Sequence, residues 1–427
     1  MNINYCMKSK LFQHKGGFGI ACPSLFLLTK FLMVASLISI FYSCRIEQNK
    51  INNEKSGTLN TTAQLEFIKN KSYPLDKETA ARPNYIQLFT DSLGNQYLTF
   101  LNTYNRSIYF YDYKNLDFIK KIPYEFNDPK GQKDIVGYLV KSADSIYMLS
   151  NSMDISLMNE KGNIIKSLSL NEGRGLNGDP MDWIFSFPVY HNNSSIPLIK
   201  GKNELLITGQ FPNEIPDSVI TKFPIQSHIS YSLDKVRFTH HYPYEIFGNN
   251  YNWGGWLPMQ VYPQLHPDGE RIIYSFTPSH HLYISDLNNP EEPIKVFAGS
   301  NFSGPISSFD KKTNGMDSEE LEAKLVEEDR YCTILHDPIR NVYYRFLRRA
   351  MPNAPKGASW KKKDIAVIIL DKDFSYLGET TLGPGDLWHW ENSFVTQEGL
   401  NIEYIDKNDV DEAYLTFKVF LPSEIKK

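Results

Sequence analysis

The sequence predicts an all-β fold: a six-bladed β-propeller of four-stranded antiparallel blades. An N-terminal strand joins the last blade and closes the ring, and one helix is inserted near 317–330. Three observations predict this. Tyr85–Ile122 reads as four short strands, Tyr85–Thr90, Gln96–Asn102, Ser107–Asp112 and Phe118–Ile122, with turn residues between them. The unit then recurs. The turn Asp91-Ser92-Leu93-Gly94 has counterparts at Pro267-Asp268-Gly269, Asp337-Pro338 and Glu398-Gly399, and third strands end in Asp112, Asp286 and Asp371. These turns repeat about every 61 residues, long for a propeller blade. Finally, 26 Tyr and 26 Phe favour strands over helices.

In chain order, residues 1–43 carry four lysines and no Asp, Glu or Arg. Lys30 precedes the 13-residue run Phe31–Ser43 and then Cys44, against about 20 residues for a spanning helix. This pattern predicts a cleaved export signal of the bacterial lipoprotein type, with Cys44 as the lipid attachment site. Phe41-Tyr42-Ser43 is bulkier than the usual box before such a cysteine. An uncleaved anchor and ordinary secretion remain as alternatives. Cys6 and Cys22 lie in the signal, so Cys332 has no intrachain partner and reads as a small buried hydrophobe. Residues 44–63 are polar and aperiodic and predict a flexible tether. The propeller occupies 64–427, beginning with the strand-like Leu65–Lys69.

Five further units follow at about 135–170, 196–241, 263–298, 331–382 and 392–422. The last shows only three strands, so Leu65–Lys69 is expected to supply the fourth and leave no open edge. Asp317 and Glu320 form a capping box ahead of Leu321, Leu325 and Val326, which predicts the helix and places it outside the ring between units four and five.

With strands running outwards from the centre, the long connections 123–134, 171–195, 212–226, 242–262, 299–330, 348–363 and 383–391 all fall on one face. Binding is therefore expected on that loop-rich face. All six tryptophans, Trp183, Trp253, Trp256, Trp360, Trp388 and Trp390, fall in these connections. They form either an aromatic-lined ligand site over the channel or the packing that long loops need. Arg345, inside a strand, is expected to reach the channel or to pair with a carboxylate. The other basic residues of the loop, Arg348, Arg349, Lys356, Lys361, Lys362 and Lys363, read first as a solvated loop and second as a seat for an anionic partner. His280 or His281 could point into the channel.

The near-balanced charge of −4 argues against nucleic acid as a partner. No metal, nucleotide or Ser-hydrolase motif is present, so no metal or cofactor is expected. The strings NQYLTFLNTYNRSIYFYDYKNLDFIKKI, SADSIYMLS, SHHLYISDL, ILHDPIRNVYYRF, FVTQEGLNIEY and YLTFKVF resemble a family of uncharacterised Bacteroidota lipoproteins, a domain of unknown function with a six-bladed propeller. The resemblance spans 64–427. It implies a fold and an envelope location and transfers no catalytic residue. Ser92, Ser145 and Ser218 follow Asp as O-glycosylation acceptors do in exported proteins of that group, although Asp-Ser also starts turns.

The expected function is that of an envelope-anchored lipoprotein, lipid-held at the outer membrane. It would be a non-catalytic propeller, monomeric, binding a glycan, peptide or envelope protein. The alternative is a carbohydrate-active enzyme, a hydrolase or lyase, using Asp386 and Glu391 near Trp388.

Overall fold

The computed structural model describes residues 48–56, 59–79, 82–125, 134–171, 186–212, 214–290, 292–310 and 318–425. Within it, six four-stranded antiparallel sheets form a ring, a six-bladed β-propeller. Blade 1 comprises Ile86–Thr90, Gln96–Asn102, Ser107–Asp112 and Phe118–Pro123. Blade 2 comprises Ile135–Ser142, Ser145–Ser150, Asp154–Met158 and Ile164–Ser169. Blade 3 comprises Ile199–Lys200, Glu204–Thr208, Gln226–Ser230 and Val236–Thr239. Blade 4 comprises Val261–Leu265, Arg271–Phe276, His281–Asp286 and Ile294–Phe297. Blade 5 comprises Arg330–Asp337, Val342–Arg348, Asp364–Asp371 and Tyr376–Pro384. Blade 6 comprises Trp388–Thr396, Gly399–Tyr404 and Tyr414–Glu424, and its outermost strand is the N-terminal Ala63–Pro74.

The first strands of successive blades touch around the ring, and the second strand of blade 3 meets blade 4. Middle strands are sandwiched between neighbouring blades and buried on both faces. They therefore read as continuous apolar runs, as in Ser107–Asp112 and Asp364–Asp371. Outer strands such as Phe118–Pro123 and Ile294–Phe297 are mostly exposed or half-buried. The closing strand buries Leu65 and Tyr73, each worth about 1.5–3 kcal/mol. It thus ties both ends of the propeller into one sheet.

The acidic turn residues have a direct structural role. Asp112 Oδ1 accepts the Lys114 and Asn115 amides at 2.8 and 2.7 Å. Asp286 and Asp371 repeat the pattern in blades 4 and 5, and Asp91 and Asp337 do so in first turns. Each carboxylate closes a short hairpin by replacing a missing backbone acceptor. These turns share one face, and the longer connections lie on the other, as expected. The 383–391 stretch is different. Strand continues to Pro384, one helical turn spans Gly385–Leu387, and strand resumes at Trp388.

The stretch expected as a free tether is docked from Gln48 onward in its described part. Lys50–Ile51 pairs with Ile306–Ser307 in the crossing from blade 4 to blade 5. The Asn53 side chain donates to the Ser300 and Ser303 carbonyls at 2.9 and 2.8 Å. Thr62 then bonds Leu377 on the outside of blade 5. The strand pairing is only two residues long and the other bonds reach single carbonyls, which leaves no periodic signature in sequence.

The inserted helix is Ser318–Glu327; Asp317, its expected cap, lies outside the described residues. The helix packs against the 349–363 loop on the loop-rich face. Met351 donates to the Val326 carbonyl at 3.0 Å. The Lys363 ammonium, buried, donates to the carbonyls of Leu325 and Glu328, which would otherwise be orphaned at the helix end. Burial pushes the Lys363 pKa well down.

Candidate functional site

The ring centre is closed by a segment of the crossing between blades 2 and 3. The Asn193 carboxamide Oδ1 accepts the Ser195 and Ile196 amides at 2.9 and 3.1 Å and folds the segment back on itself. The Ser194 hydroxyl accepts the Ile86 amide of blade 1 at 2.8 Å and donates to Asn392 of blade 6. Thr333 of blade 5 donates to the Ser195 carbonyl at 3.4 Å. Ile196 joins a core cluster with Tyr262, Cys332 and Trp390. Asn192 and Leu198 press on Gly137 of blade 2, where a Cβ would sit 2.9 Å from the Leu198 side chain and 3.2 Å from Asn192 Cβ. The segment thus touches blades 1, 2, 5 and 6 directly and plugs the channel.

Beneath it lies a buried polar network. Asn392 Nδ2 donates to Glu403 at 2.5 Å and to the Pro83 carbonyl at 2.6 Å. His389 sits 3.1 Å from the Glu403 carboxylate. Burial alone would push the His389 pKa down; the charge and hydrogen bond of Glu403, with the charge of Glu391, together hold it above the ordinary histidine value.

Beside the plug, on the loop-rich face, is an open cleft of about 720 Å³. The 77–85 connection, the 103–104 turn, the start of blade 2 and Glu412 of blade 6 form its walls. Arg82 and Glu412 pair across the rim at 3.4 Å, both about half exposed. Glu78 pairs with Lys121 at 2.7 Å, which lowers the Glu78 pKa. Tyr104 projects from the wall, 82% exposed. In the floor, the Tyr85 hydroxyl accepts the Leu198 amide at 2.7 Å. Asn192 Nδ2 donates to the Ile196 carbonyl at 2.7 Å, yet Asn192 Oδ1 is buried with no hydrogen-bond partner.

The structure disperses the residues singled out from sequence. Trp253 is buried and its indole donates to the Ile246 carbonyl at 3.0 Å. Trp388 and Trp390 are buried in the first strand of blade 6, against Tyr404 and Phe420 and against Tyr262 and Phe346 respectively. Their indole faces are spent on packing. Trp360 is half-buried under the Arg348 guanidinium, 4.2 Å above the ring. Trp256 alone of the described five is exposed, beside His191 with 5.5 Å between ring centroids. Trp183 and Cys44 lie outside the described residues.

Arg345 neither reaches the channel nor meets a carboxylate. It is fully buried, bonded to the Ser275 hydroxyl and to the carbonyls of Ser279, His280, His281 and Ala298, with its plane 3.9 Å from the Tyr331 ring. His280 is buried and bonded to the Tyr331 hydroxyl at 2.8 Å, and His281 packs on Phe297. Burial brings both pKa values down to about 4. Asp386 pairs with Lys407 at 3.2 Å, and neither it nor Glu391 lines the cleft. Sequence reasoning missed Arg82, Asn192, Tyr104 and Glu412, which sit in polar turns with no motif. Among the described residues, no three His, Cys, Asp or Glu side chains gather to hold a metal ion, and no helix is long and apolar enough to cross a membrane.

Residues 63–381 match the model of a domain of unknown function, DUF4221. The chain belongs to this family. A crystal structure of a DUF4221 member from Bacteroides vulgatus superposes with a TM-score of 0.71 at 23% identity, covering 86% of this chain and 99% of that one. That likeness supports the DUF4221 propeller as a fold. A Bacteroides fragilis protein thought to be exported aligns at a TM-score of 0.48 and 11% identity, over 85% of this chain and 96% of its own. None of the curated proteins matches the chain.

Proposed function

We propose that this protein is an envelope-anchored lipoprotein, held through Cys44, whose propeller binds a ligand without catalysis in the cleft over blades 6, 1 and 2. The observation that carries the reading is the open cleft of about 720 Å³ with the exposed Tyr104 ring on its wall and the half-exposed Arg82 and Glu412 at its rim. Tyr104 offers a ring face to a sugar or peptide, and Arg82 and Glu412 offer paired charges at the rim. The plug supports the same reading, because it leaves the central channel closed and the cleft open beside it.

The hydrolase or lyase reading draws on Glu78 and Glu412, both of which line the cleft. It is the weaker one. Each carboxylate is exposed and paired, and Lys121 lowers the Glu78 pKa, whereas a general acid needs its pKa raised.

The test is a screen of residues 45–427 against glycans and envelope peptides, followed by titration of any hit. Arg82→Ala, Tyr104→Ala and Asn192→Ala should each weaken binding. A ligand that binds all three variants as tightly as the parent would move the site elsewhere, and turnover of a bound glycan would establish the enzyme reading.

A further inference from the structure

We propose that the loop-rich face over the crossings into blades 4 and 5 is turned towards the lipid bilayer, with Phe302 and Tyr244 at the interface. This rests on the Cys44 anchor of the preceding reading and adds an orientation to it.

The argument is one of chain length. The Gln48 side chain donates to the Ser308 carbonyl at 2.8 Å, and the Asn49 amide donates to the Ser308 hydroxyl at 2.8 Å. The chain is therefore fixed to the propeller from Gln48 onward. Between an acylated Cys44 and Gln48 lie four peptide steps, a reach of about 14 Å when fully extended. The membrane surface can then be no farther than that from Gln48. A long tether would let the ring take any attitude; this leash does not.

The surface around the docking point suits such a neighbour. Phe302 is 64% exposed on one side of the docked segment, and Tyr244 is 41% exposed on the other. Lys55 bonds Asn301 beside Phe302, and the Arg349 guanidinium lies 5.2 Å from the Phe302 ring. Exposed aromatics flanked by cations are the side chains favoured at an anionic membrane interface. Of the acids nearby, Glu54 is exposed, while Glu245 accepts from Tyr283 at 2.9 Å, Asp217 from Tyr244 at 3.1 Å, Glu379 from Ser300 at 3.1 Å, Asp329 from Ser303 at 2.9 Å and Glu328 from the Ser307 amide at 3.1 Å. In a six-membered ring blade 1 stands opposite blade 4. The cleft over blades 6, 1 and 2 therefore lies on the same face but across the ring from the docked segment.

The experiment uses the full chain, processed and acylated in a bacterial host and reconstituted into phosphatidylethanolamine–phosphatidylglycerol vesicles. Nitroxide labels are placed on Phe302→Cys, Tyr244→Cys and, on the opposite face, Leu93→Cys, which is 84% exposed. Cys332 is buried and does not compete for label. Membrane-dissolved oxygen should relax the labels at 302 and 244 more than a water-soluble nickel chelate does, with the reverse at 93. Equal chelate access at all three positions on vesicle-bound protein would overturn the orientation. Labels at 302 and 244 already shielded without vesicles would overturn it too, in favour of a second copy on that face. An N-terminal peptide without acyl chains would instead overturn the anchor, a separate result read by mass spectrometry.

Discussion

Arg345 at the seam between blades 4 and 5 and the cleft on the opposite side of the ring, over blades 6, 1 and 2, set polar groups in contrasting surroundings. At the seam every guanidinium N–H of Arg345 has an acceptor, with bonds of 2.8 to 3.4 Å. Burial lowers its pKa only to about 10, so it stays charged at neutral pH. On the other side, Asn392 donates to Glu403 beneath the plug, while Tyr104, Arg82 and Glu412 stand exposed around an open cleft. Polar groups enclosed on all sides weld blades together. Those exposed at the cleft, Arg82 and Glu412, can meet a ligand.

The largest expected effect tests the seam. Arg345→Met keeps the side-chain length but strips four carbonyls of their donor, and should lower the free energy of unfolding by about 3–5 kcal/mol in urea titration. Arg345→Lys should recover only part of this, since an ammonium cannot serve five acceptors in one plane. A loss under about 1 kcal/mol in Arg345→Met would break the contrast. Next comes Asn392→Leu, which leaves the Glu403 carboxylate and the Ser194 hydroxyl without their shared partner. The expected loss is about 2–3 kcal/mol, again by urea titration. Arg82→Ala sharpens the comparison from the functional side. Its ion pair is exposed and worth less than about 1 kcal/mol, so stability should barely move. Affinity for a cleft ligand should nonetheless fall about tenfold by calorimetry, a change of about 1.4 kcal/mol.

The legible parts of the molecule are those governed by neighbours in sequence. The strands Gln96–Asn102 and Ser107–Asp112 match their sequence limits, because continuous apolar runs end at Asp- or Asn-headed turns. The spare segment Leu65–Lys69 completes blade 6 because a three-stranded unit cannot close a ring. What escaped depends on distant partners. The first strand of blade 2 contains Gly137, which weakens any strand reading. The glycine is there because Tyr85, Asn192 and Leu198 leave no room for a Cβ. The plug itself reads as a polar loop, since its meaning lies in Ile86, Thr333 and Asn392. Trp388 and Trp390 looked like loop residues because they follow Gly383-Pro384-Gly385. Only three residues separate the strands there.

The smallest effect is a pH dependence of opposite sign on the two sides. His280 and His281, near the seam, have pKa values lowered by burial to about 4. Their contribution is present above the unfolded value of about 6.5 and is lost as pH falls towards 4. His389 is the reverse case. Glu403 raises its pKa in the fold, so the pair stabilises fully below about 6.5 and fades as pH rises through the folded value. In the parent, unfolding free energy should therefore decline above pH 6.5 with a slope no steeper than about 1.4 kcal/mol per pH unit. In His389→Gln that decline should vanish while the acid-side loss from His280 and His281 remains. Urea titrations between pH 4 and 8.5 separate the two. If His389→Gln leaves the alkaline limb unchanged, Glu403 is not holding a charged imidazole. The imidazole would then be neutral, and Asn392→Leu would have to account for most of what the network contributes.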